Sequence, residues 1–236
     1  PASCNGLVGL KPTRGLLAWG PHRGDAAHGI SHEHAVTRSV RDCAAILDAT
    51  VGPDIGAPYF TQRPAGSYLD RIASAPGRLR VAFSCRTFDD RPVHAECRAA
   101  VERTARLLER LGHQVEEAAP QFDYPALLDA MMTVLLTGLA AMVEARETQL
   151  GRAAGPDDLE PATHAAIAFG RSVSGVRYAA QFGRINREVR RIGAFFASAD
   201  ILLTPTLSAP PPRLGVLSTR TTDLDRFIAD TYGLAA

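Results

Sequence analysis

Apolar and polar positions along the chain follow two periods, and the switches between them mark the elements. The run at 7–10, closed by Lys11, Pro12 and Thr13, is short and apolar and reads as a buried strand. Ser39 followed by Asp42 has capping-box spacing, and Val40, Cys43, Ala44, Leu47 and Val51 then recur at helical intervals. A helix over 40–50 is expected, stopped by Gly52 and Pro53. A loop punctuated by Pro and Gly fills 52–64, a short helix 67–74, and a β-compatible run 79–83.

Between 92 and 111, Val93, Cys97, Val101, Ala105, Leu108 and Leu111 form one apolar stripe with charged residues between them, which predicts a surface helix ending at Gly112. A strand at 114–116 follows, then a helix over 126–148 that holds all three methionines and is apolar most of the way round. Such a helix is expected to be central and buried. Its apolar stretch is marginal in length for a bilayer and is interrupted by Asp129, Thr133, Thr137 and Gly138.

The third long helix, 175–199, carries Tyr178, Phe182, Ile185, Val189, Ile192 and Phe196 on one side. Arg177, Arg184, Arg187, Arg190 and Arg191 lie among its other positions, a solvated face. Asp200 then introduces the apolar run 201–204, blocked by Pro205, which reads as a buried strand ending in an irregular loop that Pro210, Pro211 and Pro212 keep extended. Strands alternating with long helices predict an α/β fold whose sheet is covered by helices on both faces.

Composition narrows the function classes. At 236 residues, 46% hydrophobic and 22% charged, the chain can bury a full core as one large domain. A formal charge of +1 offers no excess of cations to a nucleic acid or an anionic membrane, which leaves small molecules as the expected partners. Cys4, Cys43, Cys85 and Cys97 fit neither a paired zinc-site spacing nor a secreted disulfide framework, so free thiols in a cytoplasmic protein are expected. No signal peptide is read at Pro1. Among the 26 basic side chains Lys11 is the single lysine, which limits any mechanism that needs a catalytic amine.

Candidate chemistry is sparse. His28, His32 and His34 lie close enough to suggest a metal, but no fourth ligand follows at a recognisable spacing, and an exposed loop is the simpler reading. Ser39, His34 and Asp42 could be drawn as a triad, yet there is no GxSxG elbow, and Ser39 with Asp42 is explained as a helix cap. Cys4 reads as a buried structural thiol. No P-loop, dinucleotide glycine pattern or clustered acidic metal site is present.

Four segments resemble the amidase signature family in the right order: PASCNGLVGLKPTRG at 1–15, HAVTRSVRDCAAILDAT at 34–50, GPDIGAPY at 52–59 and DILLTPT at 200–206. The first two are most similar to the bacterial amidases of the 6-aminohexanoate cyclic dimer hydrolase group. The resemblance implies a partial amidase-signature fold with a mixed central sheet, read as one incomplete domain over 1–236. It also implies hydrolysis of a carboxamide by a Ser, cis-Ser, Lys triad through an acyl-enzyme, with no metal or organic cofactor.

In the family the nucleophile lies in a Gly-Gly-Ser-Ile-Arg-like stretch directly before the proline that is here Pro1, and the bridging Ser and the Lys come earlier. No catalytic residue is therefore assigned within the chain. Lys11 matches the structural lysine of the family's Gly-Leu-Lys-Pro strand, and its place before Pro12 favours an extended backbone. The segment alone is expected to be inert.

Further strands are expected beyond Ala235 and Ala236, leaving unpaired sheet edges and an exposed apolar seam. What remains is part of a substrate pocket: Thr204, Pro205 and Thr206 at the end of a strand, where α/β sheets place binding loops, and Met131 and Met132 as an adaptable acyl-side wall. An amidotransferase A subunit delivering ammonia to charged tRNA and a non-catalytic scaffold remnant are the alternatives. The resemblance leaves a homodimer open.

Overall fold

The computed structural model describes residues 1–21, 24–25, 27–223, 226–228 and 231, so the end of the chain at Ala235 and Ala236 lies outside the described residues. The chain divides into two compact units, Pro1–Gly77 and Arg78–Ala236.

In the first unit a 3-10 turn, Ser3–Asn5, ends at left-handed Gly6 and leads into β1 (Val8–Gly9), which pairs antiparallel with β2 (Val36–Thr37). The expected strand is real but short, and it is not buried: Leu7 and Leu10 are exposed. A ribbon of two strands has too little surface to cover both faces of either. α1 (Val40–Thr50) starts as the spacing predicts, with the Asp42 N–H donating to Ser39 Oγ at 3.1 Å, and buries Cys43, Ala44 and Leu47. Asp48 on α1 then accepts from the N–H groups of Tyr68 (2.8 Å) and Leu69 (2.9 Å). These are unpaired donors in the first turn of α2 (Tyr68–Arg71), so a carboxylate from a distant element anchors a helix of only one turn.

The second unit is built on a parallel sheet of order β4-β3-β5, formed by β3 (Arg80–Phe83), β4 (Gln114–Glu117) and β5 (Ile201–Leu203). Val81 at its centre lies opposite both Val115 and Ile201. Val81 and Ala82 are 1% exposed, whereas Ile201 is 42% exposed. The apolar run expected as a buried strand is thus an edge strand among the described residues, with one neighbour instead of two. α3 (Ala95–Arg110) connects β3 to β4, buries Val101 and Ala105, and stops before Gly112 at φ 93°.

Between β4 and β5 come α4 (Tyr124–Leu150), α5 (Pro161–Ser172) and α6 (Gly175–Phe195). α4 packs against both of the others. Gly170 on α5 lets the helices approach so closely that a Cβ built there would sit 2.2 Å from the Leu136 carbonyl oxygen. At the next residue the Arg171 guanidinium pairs with Glu147 at 2.6 Å. α6 meets α4 through an ion pair from Arg184 to Asp129 at 3.4 Å.

The expectation of a buried α4 does not hold for the described residues. Ala130, Thr133, Val134 and Ala140 are buried, but much of the apolar perimeter stays open or half-open, and by length and composition the helix could cross a membrane. The stripe expected on α6 also differs. Tyr178, Phe182, Ile185 and Ile192 are half-buried and Val189 and Phe196 exposed, while the buried residues of the helix are the polar Gln181 and Glu188.

β5 is fastened at its start. The Arg80 N–H donates to Asp200 Oδ2 at 2.8 Å, its guanidinium donates to Oδ1 at 2.7 Å, and the Asp200 N–H donates back to the Arg80 carbonyl at 2.8 Å. These bonds favour the ionised carboxyl and hold it at about 2, below its usual 3.8. A depressed folded-state value stabilises the fold above the unfolded value and loses that contribution as pH falls from about 3.8 to about 2. Acid unfolding of Asp200→Asn should therefore lack a component seen in the parent between those limits, and the two proteins should converge below pH 2. Parallel curves throughout would show the pair to be idle.

Candidate functional site

The carboxyl ends of three parallel strands face the same way, so the segments after them, 84–94, 118–123 and 204–208, gather at one end of the sheet. This is where open α/β sheets form binding crevices. Local bonds fix each segment. The Ser84 N–H donates to the Leu203 carbonyl at 3.0 Å and the Ala118 N–H to the Phe83 carbonyl at 3.0 Å, so each strand end is tied to the next. The His94 N–H donates to the Ser208 carbonyl at 2.8 Å, joining the start of α3 to the segment after β5.

The loop after β3 is held by its own residues: Thr87 Oγ1 donates to Asp89 at 2.5 Å, and the Arg91 guanidinium pairs with the same carboxylate at 2.5 Å. Those bonds keep Asp89 below the usual carboxylate range against the opposing effect of burial, which is the largest influence on it.

Thr204, Pro205 and Thr206 follow β5 directly; Pro205 is buried, Thr204 half-buried and Thr206 exposed. Met131 and Met132 are half-buried on α4, in the turns after its start. Near the same end of the sheet are three aromatic rings that sequence reasoning did not select. The ring of Phe88, from the segment after β3, is tilted against those of Phe122 at 5.2 Å and Tyr124 at 6.2 Å, and the last two lie edge to face at 6.3 Å. The closely spaced Phe122 and Tyr124 ahead of an apolar helix are the signal that could have pointed to them.

Glu188 was also missed. It is 5% exposed, it accepts from the Asp123 N–H at 2.9 Å at the start of α4, and its second partner is Arg191 at 2.9 Å. Its carboxylate thus takes up a backbone donor at the start of α4 that has no partner within the helix. It was hidden among the arginines of α6, where position alone does not separate a buried acid from a surface one.

The first unit contains the other candidates. Lys11 Nζ donates to the Pro12 carbonyl at 2.9 Å and the side chain is exposed. Cys4 is exposed on the 3-10 turn, which corrects the expectation of a buried thiol: its backbone turns before the strand begins, and none of the described residues covers it. All four cysteines are free, and burial raises the pKa of Cys85.

The three histidines are dispersed in role. His34 Nε2 lies 3.5 Å from the Cys43 thiol, His28 is exposed in a turn at φ 54°, and His32 lines a small cavity with Arg14, Trp19 and Tyr59. Burial, and then the charge of Lys11, lower the pKa of His32. That cavity, about 20 Å³, has room for one water-sized occupant. Among the described residues no group of three or more His, Cys, Asp or Glu side chains is placed to hold a metal ion.

Comparison with known proteins agrees with this architecture. Residues 1–234 match the Amidase family. The chain is 32% identical over 231 residues to a 6-aminohexanoate-cyclic-dimer hydrolase of Pseudomonas sp. (strain NK87), covering 95% of this chain and 47% of the relative. It is equally similar, with the same coverage, to the protein of that name from Paenarthrobacter ureafaciens. The structure of a 6-aminohexanoate cyclic dimer hydrolase complexed with substrate superposes with a TM-score of 0.86 at 31% identity, over 97% of this chain and 49% of that one. The chain thus spans about half the length of these relatives. A family match over residues 1–234 and a shared fold over nearly the whole chain make it a member of the amidase family.

Proposed function

We propose that the chain forms part of an amide hydrolase that converts a carboxamide and water to a carboxylate and an amine or ammonia. Catalysis is of the Ser, cis-Ser, Lys type, with all three groups supplied by polypeptide outside these 236 residues. The neutral Lys accepts a proton relayed through the bridging Ser as the nucleophilic Ser attacks the amide carbon. The amine departs with a proton, water cleaves the resulting acyl-enzyme, and backbone N–H groups stabilise the oxyanion in both halves of the cycle.

The observation that carries this reading is the likeness, over 97% of the chain, to a hydrolase whose structure was determined with substrate. The lysine count supports placing the triad elsewhere, because Lys11 is the single lysine and is bonded to its own chain. The part assigned to this chain is a pocket wall: Thr204, Pro205 and Thr206 from the sheet, with Met131 and Met132 from α4. The four free thiols support a cytoplasmic setting.

The test compares the chain alone with the chain joined to the N-terminal half of the Pseudomonas relative. Alone, it should neither release product from simple carboxamides or the 6-aminohexanoate cyclic dimer nor be labelled by a fluorophosphonate. The soluble joined protein should do both. Steady turnover with specific labelling of the chain alone would refute the placement of the triad, and a folded but silent joined protein would refute the amide-hydrolase reading.

A further inference from the structure

The C-terminal half of α4 and the segment after it form a groove of about 330 Å³, within the size range of small-molecule sites. Leu139, Met142, Val143, Leu150 and Leu159 give it an apolar lining. Four charged side chains also line it, and three of them are already neutralised. Glu147 pairs with Arg171 at 2.6 Å and accepts from the Ala154 N–H at 2.8 Å. Arg152 and Asp158 pair at 2.5 Å, and Asp158 also accepts from the Gly155 N–H at 2.6 Å.

The fourth is Arg146. It donates to the neutral amide of Gln149 at 3.2 Å and pairs with no carboxylate among the described residues. The groove therefore combines an apolar floor, an adaptable methionine and one uncompensated cation. That combination complements a ligand with one aliphatic tail and one anionic head, and it disfavours a zwitterion or a cationic amphiphile. We propose that this groove binds a medium-chain aliphatic monocarboxylate, its tail against Leu139, Met142 and Val143 and its carboxylate on Arg146. The inference makes no use of the amide-hydrolase reading.

Calorimetric titration of the full chain with decanoate, octanoate and hexanoate below their micelle concentrations tests it. Saturable 1:1 binding is expected, weakening by about fourfold for each methylene removed when the tail is fully buried. Octylammonium should not compete. Arg146→Gln should weaken decanoate by about fivefold, the scale of an exposed ion pair, and leave octanamide unchanged. Met142→Glu, at a position 57% exposed, should weaken decanoate more than tenfold by placing a like charge in the groove, with an unchanged helical circular dichroism spectrum as the check on folding.

Non-saturable uptake, equal affinity for octylammonium, or decanoate binding that survives both substitutions would overturn the proposal. So would sedimentation showing that a second copy closes the groove and resists decanoate, or binding to phosphatidylcholine vesicles that decanoate does not displace.

Discussion

Gly170→Ala is expected to destabilise the second unit by about 2 kcal/mol, although the same change in an open helix stabilises by up to about 1 kcal/mol through helix propensity. The difference is steric. A Cβ at this position would stand 2.2 Å from the Leu136 carbonyl oxygen, 2.8 Å from its carbon and 2.9 Å from the Ala140 Cβ. Two of those neighbours are backbone atoms of α4, so no rotamer change relieves the clash and one helix must move away from the other. Overpacking of this kind costs about 1–3 kcal/mol, and the separation also loosens the packing of the side chains along the seam.

Gly183→Ala and Gly193→Ala on α6 are matched controls, because a Cβ at either site meets nothing within 4 Å. Urea denaturation followed by helical circular dichroism should move the midpoint down for Gly170→Ala and up, or not at all, for the controls. A rise common to all three would mean that α4 and α5 do not approach as closely as described.

Glu188→Ala should cost about 2 kcal/mol, the scale for leaving a buried donor without its acceptor. The Asp123 N–H at the start of α4 loses its partner at 2.9 Å, and the dipole of α4 loses a facing negative charge. The penalty stays below that of a fully buried broken pair because the Arg191 side chain is 52% exposed and returns to water. Glu188→Gln keeps an acceptor oxygen and should lose about half as much. Amide hydrogen exchange supplies the local readout: the Asp123 N–H should exchange faster in Glu188→Ala while the Val81 and Ala82 amides at the sheet centre change only by the global loss. Equal stability of parent and alanine variant would reduce Glu188 to a surface residue.

What the sequence disclosed depended on whether local signals or neighbours decide the outcome. α1 was readable to the residue because Ser39, Asp42, Gly52 and Pro53 set its limits by bonds within a few positions. β3 and the loop after β5 were readable for the same reason, bounded by Pro and Gly on one side and by Pro205 on the other. α5 was not anticipated: Glu160 makes no side-chain cap, and the only start signal is Pro161.

Burial was less legible than element type, because burial belongs to the partner as much as to the strand or helix. Ile201–Leu203 has the composition of a central strand and sits at an edge, and α4 has the composition of a buried helix with much of its perimeter open. In the candidate site, the place of Thr204–Thr206 after a strand was legible because the chain's own order sets it. Phe88 and Phe122 belong together only through the parallel pairing of β3 with β4.

The pairing of β3 with β5 also governs when the second unit can finish folding. Arg80 and Asp200 are separated by 120 residues, and at translation rates of about 5–20 residues per second β3 leaves the ribosome roughly 6–24 s before its last neighbour exists. During that interval Val81 and Ala82 lack one flank of their sheet. A nascent chain arrested just short of Asp200 should accordingly be a preferred client of chaperones that recognise extended apolar strands, and extension until Ile201–Leu203 clears the ribosome should end that dependence.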